Sequence, residues 1–175
     1  MMKEKPTLRE LTKTRSPGFG SSYLEWNVPA SHMKGKQGNN RPHEVPLSAQ
    51  AVKLLQAIRP VQVHGEDLVF TKTGNSLSGT ALRKLIRKLD EDSLKKGGNG
   101  FRDVSHDNRV AVTHGFRAAF ATWAQETGED VSVIELCLSH VDSTDKHNGA
   151  YRRGRMMQRR RLLLQRWANY CFSEV

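Results

Sequence analysis

Apolar positions fall in short groups divided by polar stretches that carry glycine and proline, and their spacing is strand-like early and helix-like later. Trp26-Asn-Val-Pro-Ala, the polar stretch 33–42 and His43-Glu-Val-Pro-Leu together predict two short strands around a hairpin. Pro29 and Pro46 place these strands near a sheet edge or end them, because proline brings no N–H to a ladder. Upstream, Arg15-Ser-Pro-Gly-Phe-Gly-Ser-Ser is turn-rich and reads as a loop.

Helical spacing takes over at Ser48, a good N-cap for a helix over 49–58 with Val52, Leu55 and Ile58 on one face. Leu68-Val-Phe is a short apolar piece. Ser78 caps a second expected helix over 79–90, apolar at Leu82, Leu85, Ile86 and Leu89, and 95–100 (KKGGNG) reads as a loop. Thr113 caps a third, HGFRAAFATWAQET, which Gly128 ends at C′. Asp130 starts a fourth, VSVIELCL, ending at Ser139-His140, and the last runs from about 155 to 170. Phe116, Phe120 and Trp123 are expected in the core, and Leu163, Trp167 and Tyr170 on the apolar face of the last helix. There is no internal repeat and no low-complexity segment. The fold class this implies is α+β, mainly helical with a small antiparallel sheet.

Length and composition add bounds. A chain of 175 residues suits about one domain. No apolar run approaches about 18 residues, so no membrane span is expected. The N-terminal residues lack the apolar segment of a secretion signal, which points to the cytoplasm. Cys137 and Cys171 lack ligand-like spacing and read as reduced, mostly buried thiols. No His/Cys cluster has metal-ligand spacing, so neither metal nor cofactor is expected. Charge changes the picture more. Lys and Arg number 28 against 18 Asp and Glu, and the net charge of +10 favours a polyanionic partner, nucleic acid first and an anionic membrane surface second.

The residues that carry chemistry are few. His114 and Arg117 stand at i and i+3 in the opening of a helix, on one face near its positive end, a good place for a phosphate. The Gly128-Glu-Asp turn folds the fourth helix back, which sets His140 near that face. Tyr151 follows eleven residues on, across the polar segment 142–149. Phosphodiester cleavage by a tyrosine needs an activated phenol, cationic donors for the nonbridging oxygens and an acid for the departing 5′ oxygen. Lys34, on the hairpin, suits the last task.

In their order, Thr113-His-Gly-Phe-Arg-Ala-Ala-Phe-Ala-Thr-Trp, Leu138-Ser-His and Ala150-Tyr-Arg-Arg resemble the tyrosine recombinases, and most closely the phage and genomic-island integrases of the P4 type. Val28-Pro-Ala-Ser-His-Met-Lys and Arg41-Pro-His-Glu-Val-Pro-Leu-Ser resemble the hairpin of that group. The resemblance implies that Tyr151 is the nucleophile of a 3′-phosphotyrosyl link. It makes Arg117 the second catalytic arginine, His114 and His140 the two histidines, and Lys34 the general acid, with Lys36 as its rival. Arg15, in Leu11-Thr-Lys-Thr-Arg, is the match for the first catalytic arginine, although Gly18 stands where the family has glutamate and the stretch to Trp26 is short. His32, His43, His64, His106 and His147 match no catalytic position.

The same resemblance implies a domain layout. Residues 1–25 would be an incomplete or atypical edge and 26–175 the catalytic domain, with the N-terminal arm-binding and core-binding domains absent. The expected partners are double-stranded DNA attachment sites, with a tetramer on DNA at full length, a monomer as a fragment, and accessory DNA-bending or excisionase proteins. The expected location is the bacterial or prophage-bearing cytoplasm, on DNA. Two other readings remain: a DNA-binding remnant without catalysis, and a basic RNA- or membrane-binding domain.

Overall fold

The computed structural model describes residues 11–15, 22–33, 42–58, 69–70, 77–104, 106–139 and 156–173. Mainly helical with small antiparallel sheets, it is the α+β architecture expected, and it divides into two compact units. One comprises Met1–Ser76 with Glu129–Val175, the other Leu77–Gly128.

The first unit holds a three-stranded antiparallel sheet in the order β1-β2-β3, made of Leu11–Arg15, Ser22–Val28 and His43–Pro46. Trp26 pairs with Leu11 on one side and Val45 on the other, so β2 is central. The prolines sit as their missing N–H demands: Pro46 is the last residue of the edge strand β3, and Pro29 follows the end of β2. β1 corrects the sequence reading, which gave Arg15 to a loop. Arg15 ends a strand and pairs with Ser22. Of the turn-rich stretch, 16–21 lies outside the described residues.

Helix α1, Ala49–Ile58, has the expected bounds, and the Ser48 hydroxyl accepts from the Ala51 N–H at 3.2 Å, as an N-cap should. Val52 and Leu55 are half-buried, but Ile58 is exposed. Helix α4, Val131–Cys137, is capped by Asp130, whose carboxylate accepts from Ser132 N at 2.8 Å. It stops where Ser139 turns left-handed, at φ 56°. Helix α5, Met157–Ser173, packs against α4, α1 and β3 and organises the unit. Leu163 is almost wholly buried on it, as are Val133 and Ile134 on α4. Trp167 is half-buried, and its ring stacks on that of exposed Tyr170 at 5.6 Å. The Gln165 side chain accepts from Ala49 N and donates to Gln50 and Asn169, fixing α5 to the start of α1.

The α5 arginines are not simply a solvated basic face. Arg159 pairs with Asp130 at 3.2 Å, Arg166 with Glu129, and Arg160 is buried. The hydrogen bond from Ser132 N, and after it the charge of Arg159, holds the Asp130 carboxyl below its ordinary value of 3.8. A carboxyl lowered in the folded state stabilises above its unfolded pKa, and the benefit fades as pH falls through the lower folded value. Asp130→Ala is therefore expected to lower the melting temperature at neutral pH. The gap from wild type should close below pH 3.8, as thermal melts across pH would show.

Both cysteines are free. Cys137 is half-buried, and burial pushes its thiol up, offset in part by the guanidinium of Arg160. Cys171 is exposed rather than buried, because the α5 face beyond Ala168 turns outward.

The second unit is built from α2 (Ala81–Lys95), a two-stranded β4–β5 ladder (Arg102–Asp103 with Arg109–Val110) and α3 (Thr113–Glu126). α2 starts later and ends later than its pattern implies. Ser78 accepts from Ala81 N through its main-chain oxygen, and Thr80 precedes the helix without a side-chain cap. Of the α2 leucines, Leu82, Leu85 and Leu89 are exposed, and Ile86 and Asp90 are the buried positions. The Asp90 carboxylate accepts from Phe101 N at 2.8 Å and from the Arg102 guanidinium at 2.9 Å, so it ties α2 to β4. On the hairpin, Asp103 lies 3.0 Å from His106 and 3.4 Å from Arg109, and the His106 hydrogen bond leads the causes that lower its carboxyl pKa.

Candidate functional site

Helix α3 carries the two candidate residues whose side chains are described. Thr113 is its first residue and Val112 the N-cap, extended and without a side-chain hydrogen bond, so the expected Thr113 cap is not used. At the other end Gly128 takes φ +77° and its N–H bonds Gln125 O at 3.0 Å, the C′ role expected of it. Phe120 and Ala124 are buried and Trp123 is half-buried, whereas Phe116 is exposed and so not part of the core.

His114 and Arg117 project from one face of the opening turns of α3, His114 exposed and Arg117 half-buried. The first turn of α3 holds no acidic residue. The helix start contributes partial positive charge and backbone N–H groups. A donor ring, a planar guanidinium and a helix N-terminus together favour an anion with several oxygens.

The other candidates stand differently. Arg15 closes β1. Lys34, Lys36, His140 and Tyr151 lie outside the described residues. The elements beside them are described: the short 3-10 turn Ala30–His32 ends two residues before Lys34, α4 leads to His140, and α5 follows Tyr151. Among the described residues, no group of three His, Cys, Asp or Glu is placed to hold a metal ion, and no helix is long and apolar enough to cross a membrane.

Comparison with known proteins gives the family. The chain is 31% identical over 148 residues to prophage integrase IntA of Escherichia coli K12, an alignment covering 83% of this chain. It is 30% identical over 143 residues to prophage integrase IntZ of the same organism, covering 81%. The chain belongs to the phage-integrase family. This is the group that the ordered motifs around His114, His140 and Tyr151 resemble. The integrase-family chain spans 30% of the length of each of these two relatives. No family model matches it, and no solved structure does.

Two supports of this integrase-family chain escaped the sequence reading. Asp90 looked like one charge in the polar run Asp90-Glu-Asp-Ser, yet it stands four residues beyond buried Ile86, on the same helical face. Arg160 looked like one of a basic run, yet its spacing to Leu163, Trp167 and Ala168 places it in the buried stripe. Helical periodicity was the signal in both cases, and charge obscured it.

Proposed function

We propose that this chain carries the catalytic site of a tyrosine-type site-specific DNA recombinase. The observation that carries the reading is the placement of His114 and Arg117 on one face at the start of α3, within motifs whose order continues to His140 and Tyr151. Kinship with two prophage integrases supports it.

In this mechanism the Tyr151 hydroxyl gives up its proton to solvent as its oxygen attacks the phosphorus of a DNA phosphodiester. The P–O bond to the 5′ oxygen breaks as the 3′-phosphotyrosyl bond forms. Arg117 and His114, with His140, hold the nonbridging oxygens as charge builds on them. Arg15 would add a second guanidinium to that task. Lys34, or Lys36 in its place, gives the proton that the leaving 5′ oxygen takes. Attack by a 5′ hydroxyl on the phosphotyrosine reverses these bond changes on a new strand. The phosphotyrosine keeps the energy of the broken bond, so exchange proceeds without ATP. The arginine, histidine and lysine side chains take the charge-stabilising and acid roles that a metal would otherwise fill. The substrate is duplex DNA at paired attachment sites, with a tetramer as the assembly that exchanges strands.

A second reading, a DNA-binding remnant with impaired cleavage, draws on Arg15. This residue ends a strand, and Gly18 stands where the family pattern has glutamate. One experiment separates the two. The chain is incubated with a nicked duplex spanning the end of the genetic element that carries its gene, then denatured and resolved by gel. The recombinase reading expects a protease-sensitive covalent adduct in wild type and none in Tyr151→Phe. Duplex binding without adduct would favour the remnant.

A further inference from the structure

We infer that Arg160 is a positioning residue, a buried clasp that sets in register the described elements of the first unit that flank the reacting groups in sequence. The inference rests on the recombinase reading. Arg160 is 1% exposed, on α5 nine residues after Tyr151. Its Nη2 donates to the Glu44 main-chain oxygen at 2.6 Å, on β3, the strand that follows Lys34 in the chain. Its helix packs against α4, and its guanidinium lies near enough to Cys137, the last residue of α4 and three residues before His140, to offset part of the rise that burial gives that thiol. One side chain thus bonds β3 and lies beside the end of α4 from its place on α5, and these are the described elements flanking Lys34, His140 and Tyr151.

Stability is a weak explanation for this arrangement. Among the described residues Arg160 has no carboxylate partner, and its Nε is buried without a hydrogen bond. Burying a guanidinium on a carbonyl, with a thiol nearby, carries a desolvation cost that an apolar side chain of similar volume avoids. Arg159 and Arg166 show the cheaper arrangement, pairing with Asp130 and Glu129 where water still reaches them. What Arg160 adds is direction. Its rigid, planar donors fix distances between three segments, whereas an apolar contact lets them slide. Lys34, His140 and Tyr151 must meet one phosphate within a few tenths of an ångström, and a misplacement of about 1 Å costs up to roughly a hundredfold in rate.

The test uses the whole 175-residue chain, as wild type, Arg160→Met and Arg160→Lys, with the nicked duplex above. Melting temperature, duplex Kd and the first-order rate of adduct formation at saturating protein are measured for each. Arg160→Met should keep the melting temperature and keep Kd within about twofold, while the saturating rate falls roughly ten- to a hundredfold. Arg160→Lys, which keeps one donor for the Glu44 carbonyl, should recover part of the rate. An Arg160→Met adduct forming as fast as wild type overturns the clasp and leaves the recombinase reading standing. Should Arg160→Met fail to fold, Arg160→Lys decides by the same comparison, and equal saturating rates overturn the role. A wild-type chain that makes no adduct overturns the recombinase reading and this role with it.

Discussion

Under the proposed recombinase mechanism, Arg117→Ala is expected to lower the rate of DNA cleavage at least roughly a hundredfold while duplex affinity changes far less. The phosphorane-like transition state places extra negative charge on two nonbridging oxygens, and a planar guanidinium meets both at once. Arg117 stands in the opening turns of α3 beside His114, where the backbone N–H groups of the helix start add to the same field. Ground-state binding to a duplex is spread over many phosphates, so one arginine contributes little to it. The loss therefore falls on the chemical step. Arg117→Lys keeps the charge and loses the fork, so it should recover only part of the rate. His114→Ala should cost less than Arg117→Ala, because a ring donates one hydrogen bond where the guanidinium donates two. Single-turnover cleavage of a nicked duplex measures all three. Loss of affinity and rate in equal proportion would mean that Arg117 serves only binding.

The second large effect concerns the unit that presents α3. Asp90→Ala is expected to destabilise the protein by about 3 kcal/mol, since it leaves the Phe101 N–H and the Arg102 guanidinium without their shared acceptor. For a chain of this size that is a fall of roughly 6–12 °C in melting temperature. Gly100→Val should act at the same point by a different route. Gly100 sits at φ +69°, and a Cβ there would stand 2.5 Å from the Asp90 carboxylate oxygen and 3.3 Å from the Arg102 Nε. A β-branched residue meets both the backbone penalty and that clash. Asp90→Ala removes that clash and leaves the backbone penalty, so the double variant should lose less than the sum of the two singles and more than Asp90→Ala alone. Additive losses would show that Gly100 and Asp90 act separately.

Legibility differed by element for physical reasons. Helix α1 could be read to the residue, because Ser48 caps it through its own hydroxyl and Val52 and Leu55 form a plain stripe. α4 was equally plain from Asp130. The strands β2 and β3 followed from the apolar runs at Trp26 and His43, which their prolines place at edges or ends, although β2 begins earlier, at Ser22. β1 was missed because Leu11-Thr-Lys-Thr-Arg is too polar to alternate visibly, and its pairing with β2 is long-range information. β4 and β5 have two residues each, too few for any period, and depend on Asp90 for their place. α2 was cut short because Asp90-Glu-Asp-Ser looks like a helix end, when Asp90 in fact turns inward. In the site, His114 and Arg117 were legible together because helical spacing alone makes i and i+3 neighbours. Joining Lys34, His140 and Tyr151 to them needs tertiary contacts that no local pattern encodes. Their roles rest on motif order.

The central claim is that Tyr151 makes the bond to DNA. The chain has three tyrosines, and the other two belong to regular structure: Tyr23 in β2, and Tyr170 on α5, stacked on Trp167. Trypsin cuts after Lys146 and Arg152, so Tyr151 falls alone among them in the peptide His147-Asn-Gly-Ala-Tyr-Arg. The adduct formed on the nicked duplex is digested with nuclease and trypsin, and the nucleotide-bearing peptide is identified by mass spectrometry. The recombinase account predicts a nucleotide mass on that hexapeptide at Tyr151, and its disappearance in Tyr151→Phe. A nucleotide on Tyr23 or Tyr170, or an adduct that persists in Tyr151→Phe, would contradict it.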